Sequence, residues 1–149
     1  MYSKILVPVD GSDTSKLGVR EAIRLAKALK TPARLRMLHV VDDFPMLMGV
    51  SSVTNYEKAR SALREHGDIV LEQARQLAAA ADVQVDVHLR EVTGARIATA
   101  VIAEANHQGC DLIVMGTHGR RGFSRVALGS GADHVVGLDG KAALDVAEH

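Results

Sequence analysis

Residues 111–131 read DLIVMGTHGRRGFSRVALGSG and carry the strongest structural signal in the chain. The apolar run 111–115 predicts a buried, central β-strand, and the glycine- and arginine-rich residues that follow predict a loop. In open α/β sheets, ligands bind just beyond the carboxyl ends of the strands. The stretch therefore predicts a sheet with a ligand-binding loop at the end of one of its central strands.

The residues on either side alternate between apolar runs and segments with helical spacing. We predict strands over 4–10, 33–41, 83–90 and 111–115, and helices over 13–30, 55–81, 94–109 and around Leu128, Ala132, Val135 and Val136. Alternation of this kind predicts a parallel sheet with helices on both faces. We expect residues 1–149 to form one domain, since the length suits a single core.

Burial patterns limit the strand order. The continuous runs 4–10 and 111–115 should lie centrally, whereas the strictly alternating run 83–90 should lie near an edge. Both a 2-1-3-4-5-like order and a 3-2-1-4-5 order satisfy this. The tail 141–149 is too short and alanine-rich to separate a strand from a helical turn.

Composition excludes several classes of function. The 149 residues include 18 Lys+Arg and 18 Asp+Glu, and zero net charge argues against a protein that grips nucleic acid through a basic face. Two tyrosines, two phenylalanines and no tryptophan argue against a base-stacking surface. A single cysteine excludes an internal disulfide framework and favours a cytoplasmic protein. No apolar run approaches the roughly 18 residues of a membrane span.

The glycine-rich loop has the chemistry of a phosphate site. Gly116, Gly119 and Gly122 permit close approach and positive φ, so that successive N–H groups can point into one concavity. Gly129-Ser130 adds a hydroxyl near a predicted helix start, where N–H groups favour anions. Three cations also fall in this loop: Arg120, Arg121 and Arg125. A surface loop with solvated arginines is the alternative interpretation.

Better-known motifs are absent. The P-loop pattern fails because Gly140-Lys141 is followed by Ala142, and the dinucleotide fingerprint fails because residue 134 is histidine. The seven histidines show no ligand spacing, so we predict no dedicated metal site. Asp42-Asp43 is interpreted as capping a turn.

The spacing Gly116-x2-Gly119-x9-Gly129-Ser130 resembles the nucleotide-binding pattern of the universal stress protein family. KILVPVDGS at 4–12 and LHVVD at 38–42 also resemble that family at matching positions, and the resemblance covers roughly residues 3–136. It implies a Rossmann-like or flavodoxin-like open parallel sheet with strand order 3-2-1-4-5. It also implies the branch of the family that binds ATP. Instead of a dedicated metal site, we expect Mg²⁺ bound mainly through the nucleotide phosphates.

The resemblance implies a role for each matching residue. Asp10 would contact the nucleoside or help to hold a metal, Pro8 and Val9 would line the pocket, and Val40 would pair with adenine through its backbone. Met115 and Gly116 would border the ribose. The phosphates would be held by Gly119, Arg120, Gly129 and Ser130. Gly131 stands where the family has a branched apolar residue, so the loop is expected to be looser there.

The C-terminus departs from the family pattern. A run containing Asp145 replaces the usual apolar last strand, which pairs across a homodimer in many members, so this resemblance implies a homodimer only weakly. We expect an ATP-binding, stress-response regulatory protein. The alternatives are a slow ATP hydrolase, for which no base or nucleophile is evident, and an ATP-independent interaction module that uses Phe44–Met48.

Overall fold

The computed structural model describes residues 2–43, 52–116, 134–138 and 143–147, of which the last two ranges are described as backbone only. In these residues strands and helices alternate until the last two strands. The elements are β1 (Lys4–Pro8), α1 (Asp13–Ala28), β2 (Arg34–Asp42), α2 (Val53–Ala80), β3 (Val85–Val92), α3 (Ile97–Gln108), β4 (Leu112–Gly116), β5 (His134–Leu138) and β6 (Ala143–Ala147).

The strands form one sheet in the order β3-β2-β1-β4-β5-β6. Each neighbouring pair from β3 to β5 is parallel, and β6 joins β5 in antiparallel orientation. The predicted order 3-2-1-4-5 is therefore confirmed, with β6 as an additional strand. The continuous apolar runs occupy the central positions β1 and β4, and the alternating run forms the edge strand β3, as their burial patterns predict.

Helices cover both faces of the sheet because alternate residues of each strand point to opposite sides. On one face Ile5 and Val7 pack with buried residues of α1 and α2, among them Val19, Ala22, Val70 and Ala74. On the other face Leu6, Leu38 and Ile113 pack with α3 through Val101, Ile102 and Ala105. The predicted two-sided α/β architecture is confirmed.

Cys110, the single cysteine of the chain, lies in the α3 layer with no exposed surface. Its backbone N–H donates to the carbonyl of Ala105 at 2.8 Å, which fixes the turn between α3 and β4. Burial raises the pKa of the Cys110 thiol to about 11. The thiol is therefore a packing group and is protonated at neutral pH.

Two local expectations are corrected or settled. The helix expected around Val135 and Val136 is wrong, because these residues form β5 and pair with Ile113 and Val114 of β4. Their β-branched side chains suit a strand, and so short an apolar run does not separate the two states. The start of the expected helix lies outside the described residues. The tail contains a strand, β6.

Helix α1 approaches β4 unusually closely, and two glycines make this contact sterically allowed. A Cβ added to Gly18 of α1 would lie 2.7 Å from the backbone nitrogen of Gly116 at the end of β4. A Cβ on Gly116 would in turn overlap the carbonyl group of Thr14 in the first turn of α1. The start of α1 is thereby held against the carboxyl end of β4.

Replacing Gly116 by alanine should lower the free energy of unfolding by about 3 kcal/mol, because backbone on both sides would have to move. Gly109→Ala is the matched control: Gly109 has φ +69 but nothing within 4 Å of an added Cβ. That variant should lose about 1 kcal/mol from the left-handed backbone alone. Urea denaturation without nucleotide measures both, and equal losses would contradict the close contact.

A buried ionic cluster attaches α3 to the sheet. Glu104 of α3 is only 2% exposed, and its carboxylate accepts from Nε of Arg36 on β2 at 2.9 Å and from Nη1 of Arg90 on β3 at 3.2 Å. Nη1 of Arg36 also donates to Asp86 of β3 at 2.8 Å. Since a buried charge is costly without partners, the cluster specifies where α3 lies on β2 and β3.

Glu104→Ala should lower the free energy of unfolding by about 3 kcal/mol, because it leaves Arg36 with Asp86 as its remaining carboxylate in a largely buried position. Glu72→Ala is the control, since Glu72 pairs with Arg75 on the exposed side of α2. Thermal and urea unfolding should show little change for that variant. A small effect of Glu104→Ala would show that the cluster contributes little to α3 docking.

Candidate functional site

A cleft opens beyond the carboxyl ends of β1 and β4, at the point where the strand order reverses. It encloses about 110 Å³ and is bounded by the ends of the central strands, by the first turn of α1 and by α3. Six of the residues that the sequence assigns to a nucleotide site line it: Pro8, Val9, Asp10, Val40, Met115 and Gly116. These six come from three separate segments of the chain, and the fold brings them together.

The remaining five sequence-predicted site residues lie outside the described residues: Gly119, Arg120, Gly129, Ser130 and Gly131. The chain enters that region directly from Gly116, the last residue of β4, whose carboxyl end borders the cleft. The segment Phe44–Met48, considered as an interaction surface, also lies outside the described residues.

Sequence reasoning missed four residues that line the cleft: Ser15, Leu38, Ile97 and Val101. Leu38 precedes Val40 by two residues on β2, so the strand period places both on one face. Ile97 and Val101 are four residues apart on α3 and share a helix face. Both spacings can be recognised in the sequence. The packing of α3 beside the strand ends cannot be predicted from it.

The cleft combines apolar walls with one polar end. Pro8, Leu38 and Val40 form the strand side, and Ile97 with Val101 forms the helix side. Ile97 is 54% exposed, which leaves a large apolar side chain at the mouth of the cleft. The polar end is the turn between β1 and α1. Such a cleft suits a flat apolar group attached to a polar one.

The turn between β1 and α1 is ordered by its own side chains. Gly11 has φ +85, a left-handed conformation that favours glycine. The carboxylate of Asp10 accepts from the backbone N–H of Ser12 at 2.9 Å, and Ser12 Oγ accepts from the backbone N–H of Ser15 at 3.1 Å. Ser12 is thus the N-cap of α1. Asp10 remains exposed beside the cleft.

A second polar cluster lies past the ends of β2 and β3. Asp43 is buried, and its carboxylate accepts from the Tyr56 hydroxyl of α2 at 2.5 Å and from the Thr93 hydroxyl at 2.6 Å. Asp42 accepts from the backbone N–H of Gly94 at 3.0 Å. These carboxylates join segments that are distant in sequence, and the turn that Asp42-Asp43 were expected to cap would lie outside the described residues.

Hydrogen bonds change the acidity of this cluster. Donation from Thr93, and then from Tyr56, lowers the pKa of Asp43, because both bonds favour the charged carboxylate. The bond to Asp43 raises the pKa of the Tyr56 phenol. At neutral pH the cluster is thus a carboxylate held by two neutral hydroxyl groups.

The lowered pKa of Asp43 predicts a loss of stability in acid. A carboxyl group with a folded-state pKa below its unfolded value stabilises the fold above the unfolded pKa, about 4, and this contribution disappears as the pH falls through the folded value. Between pH 5 and pH 2 the free energy of unfolding should fall more steeply for wild type than for Asp43→Asn. Tyr56→Phe, which removes one of the two donors, should give an intermediate slope. Parallel curves would contradict the assignment.

In the described part of the chain, no three histidine, cysteine, aspartate or glutamate side chains are grouped so that they could hold a metal ion. None of the helices in the same residues has the length and apolar character needed to cross a membrane.

Comparison with known proteins identifies the family. The model of the universal stress protein family matches residues 1–138, which is nearly the whole chain. The chain belongs to the universal stress protein family. A curated relative, the universal stress protein MJ0531 of Methanocaldococcus jannaschii, is 32% identical over 136 residues, covering 91% of this chain and 76% of the relative.

Solved universal stress proteins share the fold. The crystal structure of a family member from Burkholderia pseudomallei is 36% identical, with a TM-score of 0.65, covering 78% of this chain and 83% of that one. A universal stress protein solved in complex with cAMP is 25% identical, with a TM-score of 0.54, covering 83% and 82% of the two chains. The family resemblance read from the sequence is therefore confirmed.

Proposed function

We propose that this universal stress protein binds ATP in the cleft beyond β1 and β4 and acts as a nucleotide-dependent regulator in the cytoplasm. The observation that carries the proposal is the convergence of Pro8, Asp10, Val40 and Met115 on one cleft. They derive from three segments of the chain, and the sequence assigns all of them to a nucleotide site. The strand-order reversal at this position is where open α/β sheets bind ligands.

The walls of the cleft suit the parts of an adenine nucleotide. The apolar side chains of Leu38, Val40 and Val101 suit a purine ring, and Ile97 would lose exposed apolar surface when the ring covers it. The Asp10 carboxylate suits the ribose hydroxyl groups, since an ionised carboxylate only accepts hydrogen bonds. The phosphates would extend past Gly116 toward Gly119, Arg120, Gly129, Ser130 and Gly131, with Mg²⁺ bound through their oxygens.

The relative solved with cAMP supports an adenosine ligand, because cAMP and ATP share adenosine and differ in their phosphates. We assign no catalytic step. Among the described lining residues Asp10 is the one carboxylate and histidine is absent, so neither paired carboxylates nor a hydroxyl–imidazole pair is available. A homodimer is not part of the proposal, because Asp145 lies within β6, the strand that pairs between copies in many family members.

Titration calorimetry of nucleotide-free protein with Mg-ATP should show one site, and ATP should raise the melting temperature. Ile97→Asp should weaken binding at least about tenfold, because it places a negative charge on the apolar wall. Residue 97 opens α3, where an acidic side chain does not destabilise the helix.

Ile69→Asp is the matched control. Ile69 is 58% exposed on α2 and does not line the cleft, so this variant should bind ATP as wild type does. If wild type binds no ATP at millimolar concentration, the proposal is wrong and the interaction-module interpretation becomes the leading one. Equal weakening by both variants would place the ligand elsewhere.

A further inference from the structure

Two buried polar side chains hold the same peptide group at the edge of the cleft. In the described part of the chain four polar or charged residues are buried, namely Ser15, His39, Asp43 and Glu104. The last two belong to the clusters described above. The first two both bind the peptide group between Val9 and Asp10, His39 from one side and Ser15 from the other.

His39 holds the carbonyl side of this peptide group. Its Nδ1 lies 2.8 Å from the carbonyl oxygen of Val9, and because a carbonyl only accepts, Nδ1 carries the proton. The imidazole packs under α2, where a Cβ on Gly67 would lie 2.6 Å from His39 Cδ2. The missing side chain of Gly67 therefore makes room for the ring.

Ser15 holds the amide side. The backbone N–H of Asp10 donates to Ser15 Oγ at 3.1 Å. The backbone N–H of Ser15 donates to Ser12 Oγ, and the backbone N–H of Ser12 donates to the carboxylate of Asp10. These three bonds form a closed ring through Asp10, Ser12 and Ser15, and His39 fixes the peptide from which the ring begins.

This arrangement is needed because regular strand pairing ends just before Asp10. The last backbone bond of the strand joins the N–H of Val9 to the carbonyl of Leu38 at 2.8 Å. Among the described residues no backbone bond joins the next peptide group to a neighbouring strand, and buried backbone groups require partners. We propose that His39 and Ser15 are positioning residues of the nucleotide site, which orient Asp10 so that its carboxylate meets the ribose. The inference rests on the proposed function.

Two substitutions of His39 distinguish the contribution of its hydrogen bond from the contribution of its ring volume. His39→Leu leaves the Val9 carbonyl without its donor and should weaken Mg-ATP binding about tenfold. His39→Asn should bind within about threefold of wild type, because the amide nitrogen of asparagine is attached to Cγ as Nδ1 is. Ser15→Ala is a milder change and should weaken Mg-ATP binding about threefold or more. It tests the same inference if the His39→Leu protein does not fold.

A double-mutant cycle with Asp10→Ala tests whether His39 acts through Asp10. In the Asp10→Ala background His39→Leu should change the ATP affinity less than twofold. Val83→Ala is the stability control, since Val83 is buried next to the start of β3, at the opposite end of the sheet. It should lower the melting temperature without changing the affinity.

Equal loss of affinity from His39→Leu in both backgrounds would overturn the inference, because it would indicate that the substitution disorders the site without acting through Asp10. An unchanged affinity in Asp10→Ala, or equal affinities for the leucine and asparagine variants, would also overturn it. All of these outcomes leave ATP binding by the wild-type protein intact. Failure of wild type to bind ATP would instead overturn the proposed function and this inference together.

Discussion

The close contact between α1 and β4 is the constraint on which the described site depends. Gly18 and Gly116 let the helix lie against the strand end without side chains between them. The first turn of α1 is consequently drawn across the point where the strand order reverses, and the segment Asp10–Ser15 comes to lie beside Met115. A bulkier residue at either glycine would separate the two halves of the cleft wall.

Most of the buried polar side chains in the described part of the chain lie toward one end of the sheet. Ser15, His39 and Asp43 are buried and polar, and all three lie near the carboxyl ends of β1 and β2. Each of them satisfies a group at a point where regular strand or helix bonding stops. The carboxyl end therefore owes its order to specific side chains, whereas the middle of the sheet is ordered by apolar packing and, on the α3 side, by the Glu104 cluster. A ligand site benefits from this division, since its walls are fixed before ligand arrives.

The sequence predicts the sheet well because strand position determines burial. Between their terminal residues, 4–10 and 111–115 are apolar on both faces, which predicts central strands. Gln84, Asp86 and His88 instead give their strand one polar face, which predicts an edge position. The segment 134–138 is misassigned because four scattered apolar residues also fit a helix. The site residues on β1, β2 and β4 follow from family spacing. The contributions of Ile97 and His39 do not, because each depends on contact with a segment distant in sequence.

The burial of Glu104 is another feature that the local sequence does not predict. The spacing of Val101, Ala105 and Ile97 describes an apolar helix face, and a glutamate beside it would ordinarily be assigned to solvent. Its burial depends on Arg36, 68 residues away on β2. No local pattern contains that pairing. The sequence therefore predicts which helices form, and side-chain chemistry between distant segments determines where α3 is seated.

The burial of Cys110 has a practical consequence for following the molecule in time. As the sole sulfhydryl of the chain, sealed beneath α3 and protonated at neutral pH, it is closed to electrophiles while α3 stays in place. Any alkylation of the native protein must therefore wait for a fluctuation that lifts this helix from the sheet. The alkylation rate of Cys110 therefore reports how often α3 separates from the sheet, and no reporter group has to be introduced.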